Sequence, residues 1–146
     1  MAPNKGFEPT DSSKIPRYAE IASFMRSARA EIAKPLDIAL VGVPLDLGAT
    51  YRSGARQGPS GMREASRLIR QVNPTTKVAP YRLCNIADVG DAPTHPLSVE
   101  RSVELIQAFY ERIQAIGAAP ISIGGDHTVP LPILRAIAKK HPLGLI

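Results

Sequence analysis

The stretch Pro120-Ile121-Ser122-Ile123-Gly124-Gly125-Asp126-His127-Thr128 constrains the fold of this chain more than any other. Ile121 and Ile123 favour a pleated, buried strand. The glycine pair permits a turn and a close backbone approach that a Cβ would resist. Thr128 is placed to cap a helix over Val129 to Lys140, with Pro130 suited to its first turn. A strand, a glycine turn and a helix put Asp126 and His127 at the carboxyl end of a strand, where open α/β sheets build their sites. A neutral imidazole there is a natural metal ligand, and a neighbouring carboxylate a natural support for it. The plainer reading of His127 is a turn histidine with a local hydrogen bond, and the motif alone does not separate the two.

The same alternation runs through the chain. Asp37 to Val43 is continuously apolar after its first residue, as expected of a parallel strand covered on both faces. A helix is expected over Gly61 to Gln71, with Met62, Ala65, Leu68 and Ile69 inward. Tyr81 to Asp91 reads as a second strand. Leu97 to Ile116 reads as a long helix with Ser98 as N-cap, an apolar stripe of Val99, Val103, Ile106, Tyr110 and Ile113, and Gly117 as its stop. The 120–128 motif supplies the third strand, and Leu143 to Ile146 looks like the start of a fourth, an apolar edge prone to aggregation. His141 is expected as a favourable donor at the last helix's C-terminus. Strands joined by helices predict an α/β fold with a largely parallel sheet and right-handed connections. Ahead of this lies a polar, proline-punctuated arm to Ile15, then a helix expected over Arg17 to Ala33 from the spacing of Tyr18, Ile21, Ala22, Met25, Ala28 and Ile32. The division is therefore 1–35, arm and short helix, and 36–146, the α/β unit.

Bulk properties exclude several classes. The 146 residues carry a net charge of +5, but the basic residues are scattered and aromatics are few, so a nucleic-acid surface is not indicated. No apolar run approaches the roughly 20 residues of a membrane span. Cys84 is the only cysteine, which fits a reducing, cytoplasmic setting and a buried, inert thiol.

Between Pro44 and Pro59 runs a glycine-rich loop carrying Asp46, Tyr51, Arg52 and Arg56. Loops of this length inside a compact domain are usually functional or disordered, and its place after a buried strand favours function over a solvated connection with ordinary surface charges. It contains neither Gly-x-Gly-x-x-Gly nor Gly-Lys-Ser/Thr, which argues against a nucleotide cradle. Asp88 and Asp91 sit at the carboxyl end of the second strand, where a turn-forming role competes with metal ligation. His95 is expected on a solvated loop. The strand ends thus collect acids and an imidazole, with no serine or cysteine beside a base, which points to metal-assisted hydrolysis. One histidine does not hold a catalytic metal, and the chain has no His-x-His, Asp-x-His or Asp-x-Asp.

The order of these motifs resembles the ureohydrolase superfamily of arginases, agmatinases and guanidino-acid hydrolases. The resemblance rests on Gly42-Val43-Pro44 with Asp46 and Gly48-Ala49, on Arg52-x-Gly54-Ala55-Arg56-x-Gly58-Pro59, on Asp88-Val89-Gly90-Asp91, and on Gly124-Gly125-Asp126-His127. Tyr51-Arg52-Ser53-Gly54, Pro16-Arg17-Tyr18 and Phe24-Met25-Arg26 lean toward agmatinase and guanidinobutyrase-like members. The resemblance implies a three-layer αβα sandwich, represented here by its first three to four strands. It implies a binuclear Mn²⁺ centre whose hydroxide attacks a guanidino carbon, giving urea and an amine, and a homo-oligomeric complete protein. His127 carries over as a metal ligand, with Asp126, Gly124 and Gly125 supporting it, and Asp46, Tyr51, Arg52 and Arg56 on the rim. No catalytic residue carries over. The family's Asp-x-His-x-Asp block would begin beyond Ile146, so this chain alone is expected to be inactive. The alternative is a non-catalytic assembly module that associates with full-length subunits.

Overall fold

The computed structural model describes residues 6–139 and 142–144. Its centre is a parallel sheet of β1 (Ile38–Val43), β2 (Ile86–Asp91) and β3 (Ala119–Gly124), ordered β2-β1-β3. β1 pairs Ile38 with Ile86 on one side and with Ala119 on the other, and its register against β2 slips between Leu40 and Gly42. The continuous apolar run of β1 is explained by this central place: Ala39 to Val43 are all buried.

Successive β1 side chains serve opposite layers. Ala39, Val41 and Val43 join Ile106, Tyr110 and Ile113 of α2 (Val99–Ile116) and Ala136 of α3 (Pro130–Ile137). Leu40 faces the other way, onto Phe24, Tyr81 and Ile86. On that side lies α1 (Gly58–Ala65), whose Pro59 packs against Gly42. The chain is therefore an α/β protein with helices on both faces of a parallel sheet. α2 follows its expected pattern: Ser98 Oγ accepts the Arg101 N–H at 3.1 Å, and Gly117 ends the helix at φ 74°.

Elsewhere the structure departs from the sequence pattern. No helix forms over Arg17–Ala33; one 3₁₀ turn, Phe24–Arg26, is all that is helical there. The segment instead runs beside β2, where Asp88 N–H donates to Ala28 O at 2.9 Å and Ala30 N–H to Asp88 O at 3.2 Å. Its backbone groups are spent on the sheet edge, and Glu20, Met25 and Arg26 take positive φ. The described part of the arm is tied to this segment, with Thr10 N–H donating to Arg26 O at 3.1 Å. α1 begins earlier than expected and turns a different face inward. Met62, Leu68 and Ile69 are exposed, while Pro59, Arg63 and Ser66 point to the interior. Thr128 does not cap α3, which has no side-chain cap. His95 is half-buried, its N–H donating to Ser102 Oγ at 2.9 Å. Cys84 is a free thiol, half-buried beside the Leu40 cluster. The expected donor His141 and the last two residues of the expected fourth strand lie outside the described residues, and residues 142–144 form no strand. Among the described residues β3 is the open edge of the sheet, with Ile121 half exposed.

Candidate functional site

β1 and β3 are neighbours whose following helices lie on opposite faces of the sheet. Such a switch point opens a crevice beyond the strand ends. The glycine-rich loop leaves β1 there, and the Gly-Gly-Asp-His turn leaves β3. They are joined by one carboxylate. Asp126 Oδ2 accepts the Gly48 N–H at 2.7 Å, and its Oδ1 accepts the Thr128 N–H at 2.8 Å. The Asp126 N–H in turn donates to Leu45 O at 2.7 Å. Gly125 lets the turn lie against β1, since a Cβ there would meet the Val43 carbonyl oxygen at 2.6 Å.

His127 is exposed and lines an open groove of about 470 Å³ with Ser122, Gly125, Asp126, Pro130 and Leu134. Tyr110, fully buried on α2, donates its hydroxyl to Oγ of the groove-lining Ser122 at 2.7 Å. Burial pushes the Tyr110 phenol up to about 12, against the smaller opposing effect of the Ser122 bond.

The residues singled out in the glycine-rich loop separate into two kinds. Asp46 is buried, accepting the Gly54 N–H at 2.8 Å and the Arg56 Nε–H at 2.5 Å, with a further ion pair to Arg56 Nη2. The Arg56 hydrogen bond, then that of Gly54, lowers its carboxyl from 3.8 to about 2. Asp46 and Arg56 therefore hold the loop's shape. Tyr51 is 88% exposed with the Arg52 guanidinium 5.3 Å over its ring, and neither lines the groove.

Asp88 and Asp91 form an ion cluster that sequence reasoning left without its partner. Arg63 Nε donates to Asp88 Oδ2 at 2.8 Å, Arg63 Nη1 lies 2.8 Å from Asp91 Oδ1, and the guanidinium sits 4.2 Å over the Phe24 ring. Asp88 also accepts the Phe24 and Gly90 N–H groups. Burial alone would raise its carboxyl, but the hydrogen bonds from Arg63, Phe24 and Gly90 outweigh that and hold it below the usual range. Two acids within an otherwise apolar strand signal a need for a counter-charge, and that was the available clue to Arg63 facing inward.

A hard divalent ion takes several oxygen or imidazole ligands. Among the described residues no group of three or more His, Cys, Asp or Glu side chains converges to hold one. His127 thus stands exposed in the groove without such a group around it, and the described residues do not complete a manganese site.

Comparison with known proteins agrees with this geometry. The chain is 43% identical over 139 residues to guanidinopropionase of Pseudomonas aeruginosa, covering 95% of this chain and 44% of that protein. It is 43% identical over 144 residues to guanidinobutyrase of the same organism, covering 95% and 45%. Among solved structures, proclavaminate amidino hydrolase from Streptomyces clavuligerus superimposes with a TM-score of 0.82 at 35% identity, over 86% of this chain and 42% of that one. Trypanosoma cruzi formiminoglutamase with Mn²⁺ superimposes with a TM-score of 0.63 at 27% identity, over 71% and 35%. The chain thus spans less than half the length of these relatives. With the arginase family profile matching residues 36–146 over the same sheet and turn, the chain belongs to the arginase family.

Proposed function

We propose that the polypeptide to which these residues contribute is a manganese-dependent hydrolase of linear amidines. It cleaves a guanidino compound, agmatine or a guanidino acid, to urea and an amine. The carrying observation is His127 at the end of β3, joined through the Asp126 carboxylate to the loop after β1. The 43% identity to guanidinopropionase supports the substrate class. On this reading His127 supplies one metal ligand, Asp126, Gly124 and Gly125 position it, and Tyr51, Arg52 and Arg56 form an outer rim shaped by Asp46. On the same reading the 146-residue chain by itself is inactive. A homo-oligomer and a reducing, cytoplasmic setting, which the lone free Cys84 suits, belong to the same proposal. Among the described residues no helix is long and apolar enough to cross a membrane.

The test is urea release with Mn²⁺ from 3-guanidinopropionate, 4-guanidinobutyrate and agmatine, using a polypeptide that carries this segment at the length of its relatives. At least one should be hydrolysed. His127→Ala should lose at least the roughly 10–100-fold that even a residue supporting a ligand is worth. Hydrolysis of none of the three, or an unchanged rate in the variant, contradicts the reading.

A second reading, a non-catalytic assembly module, is favoured by one observation: β3 has no partner on its outer edge among the described residues. Its test is co-purification with a full-length subunit. Capture through the β3 edge supports it, and a chain that never associates removes it.

A further inference from the structure

The N-terminal segment closes around a second, much smaller cavity that shares no residue with the His127 groove. Its volume is about 20 Å³, room for one water-sized or monatomic guest. Thr10, Ser23, Arg26 and Arg67 line it, with Glu20 exposed at the rim. Arg26 is only 7% exposed. Its Nη1 donates to Thr10 O at 3.1 Å, but its Nε–H is buried and without an acceptor among the described residues.

Arg26 also lacks a direct salt-bridge partner: no ion pair among the described residues includes it. Asp11, the acid that acts on it electrostatically, has its Oδ1 engaged by the N–H and hydroxyl of Ser13. Arg17 adds a like charge. Arg67 cannot relieve the shortage, being committed to Glu64 and to the carbonyls of Arg17, Ala19 and Glu20. A buried cation without a direct salt-bridge partner is costly. The backbone around it is held in an uncommon state: Glu20, Met25 and Arg26 sit at φ 65°, 54° and 58°. Such strain persists where the surroundings over-determine it, and it clusters at ligand clamps.

We propose that this cavity is a site for a monatomic anion of chloride's size, with Arg26 supplying the Nε–H donor and the charge. A cavity of this volume has room for a single halide. The site is independent of guanidino chemistry and stabilises the strap that covers the β2 edge.

The experiment compares the unfolding temperature of the 146-residue chain in chloride and in gluconate at equal ionic strength. Chloride should raise it saturably, bromide should substitute, and sulfate should not. Arg26→Gln should show the same temperature in all four salts. Should that variant not fold, chlorine NMR linewidths on the unmodified chain decide: excess broadening that saturates and is displaced by bromide is expected. Equal temperatures in chloride and gluconate, a chloride effect retained in Arg26→Gln, or no excess broadening would overturn the proposal and leave a water in the cavity.

Discussion

The Asp126 carboxylate holds the Gly48 backbone N–H at 2.7 Å across 78 positions of sequence. This bond ties the glycine-rich loop after β1 to the turn that presents His127. With the Thr128 bond, both carboxylate oxygens are spent on backbone donors.

Asp126→Ala should therefore free the loop as well as the turn. Each lost charge-assisted bond is worth about 1.5–3 kcal/mol. Urea unfolding should show a loss of that order, and amide exchange at Gly48 and Thr128 should accelerate together. Acceleration at Thr128 alone would mean that the loop is held by other contacts.

Two glycines should respond oppositely to alanine. At Gly125 a Cβ meets the Val43 carbonyl oxygen at 2.6 Å, so Gly125→Ala should cost about 1–3 kcal/mol, as overpacking does. At Gly61, inside α1, nothing lies within 4 Å, so Gly61→Ala should stabilise by roughly 0.5–1 kcal/mol. Thermal unfolding of the two variants checks both signs.

Stability should depend on pH at both ends of the scale. Asp46 has its pKa lowered from 3.8 to about 2, so its contribution is full above 3.8 and is lost as pH falls toward 2. Tyr110 has its pKa raised from 10 to about 12, so its contribution is full below pH 10 and is lost as pH rises toward 12. Asp46→Asn should flatten the acid limb of a stability–pH curve and Tyr110→Phe the alkaline limb. Tyr110→Phe should also cost about 0.5–1.5 kcal/mol at neutral pH through the lost Ser122 bond.

The open edge of β3 should govern solubility, since an unpaired strand edge templates association. Ile121 is half exposed on that strand. Ile121→Lys should reduce light scattering on concentration without lowering the unfolding temperature. Unchanged scattering would place the sticky surface elsewhere, with exposed Leu68 and Ile69 after α1 as the next residues to test.

These contacts show why the sequence was readable in some places and not in others. β1 announced itself because a strand buried on both faces is apolar throughout. α2 did so because Ser98 and Gly117 carry their cap chemistry locally. The Arg17–Ala33 segment misled because its helical spacing met a sheet edge in need of partners: Tyr18 and Ile21 are exposed, while Phe24 is buried. α1 misled because Asp88 and Asp91 draw Arg63 inward and turn Met62 out. The place of His127 could be read from its motif, since strand, glycine turn and helix are neighbours in the chain. The bond from Asp126 to Gly48 could not, because a carboxylate meeting a distant backbone N–H leaves no periodicity behind.

The most direct measurement is urea production by the 146-residue chain itself, supplied with Mn²⁺ and 4-guanidinobutyrate. Among the described residues His127 is the one imidazole lining the groove, and no group of three or more His, Cys, Asp or Glu side chains gathers to hold a metal. The account predicts no urea above the uncatalysed background at any Mn²⁺ concentration. Sustained turnover that disappears in His127→Ala would contradict it, showing that these residues complete a working site without further donors.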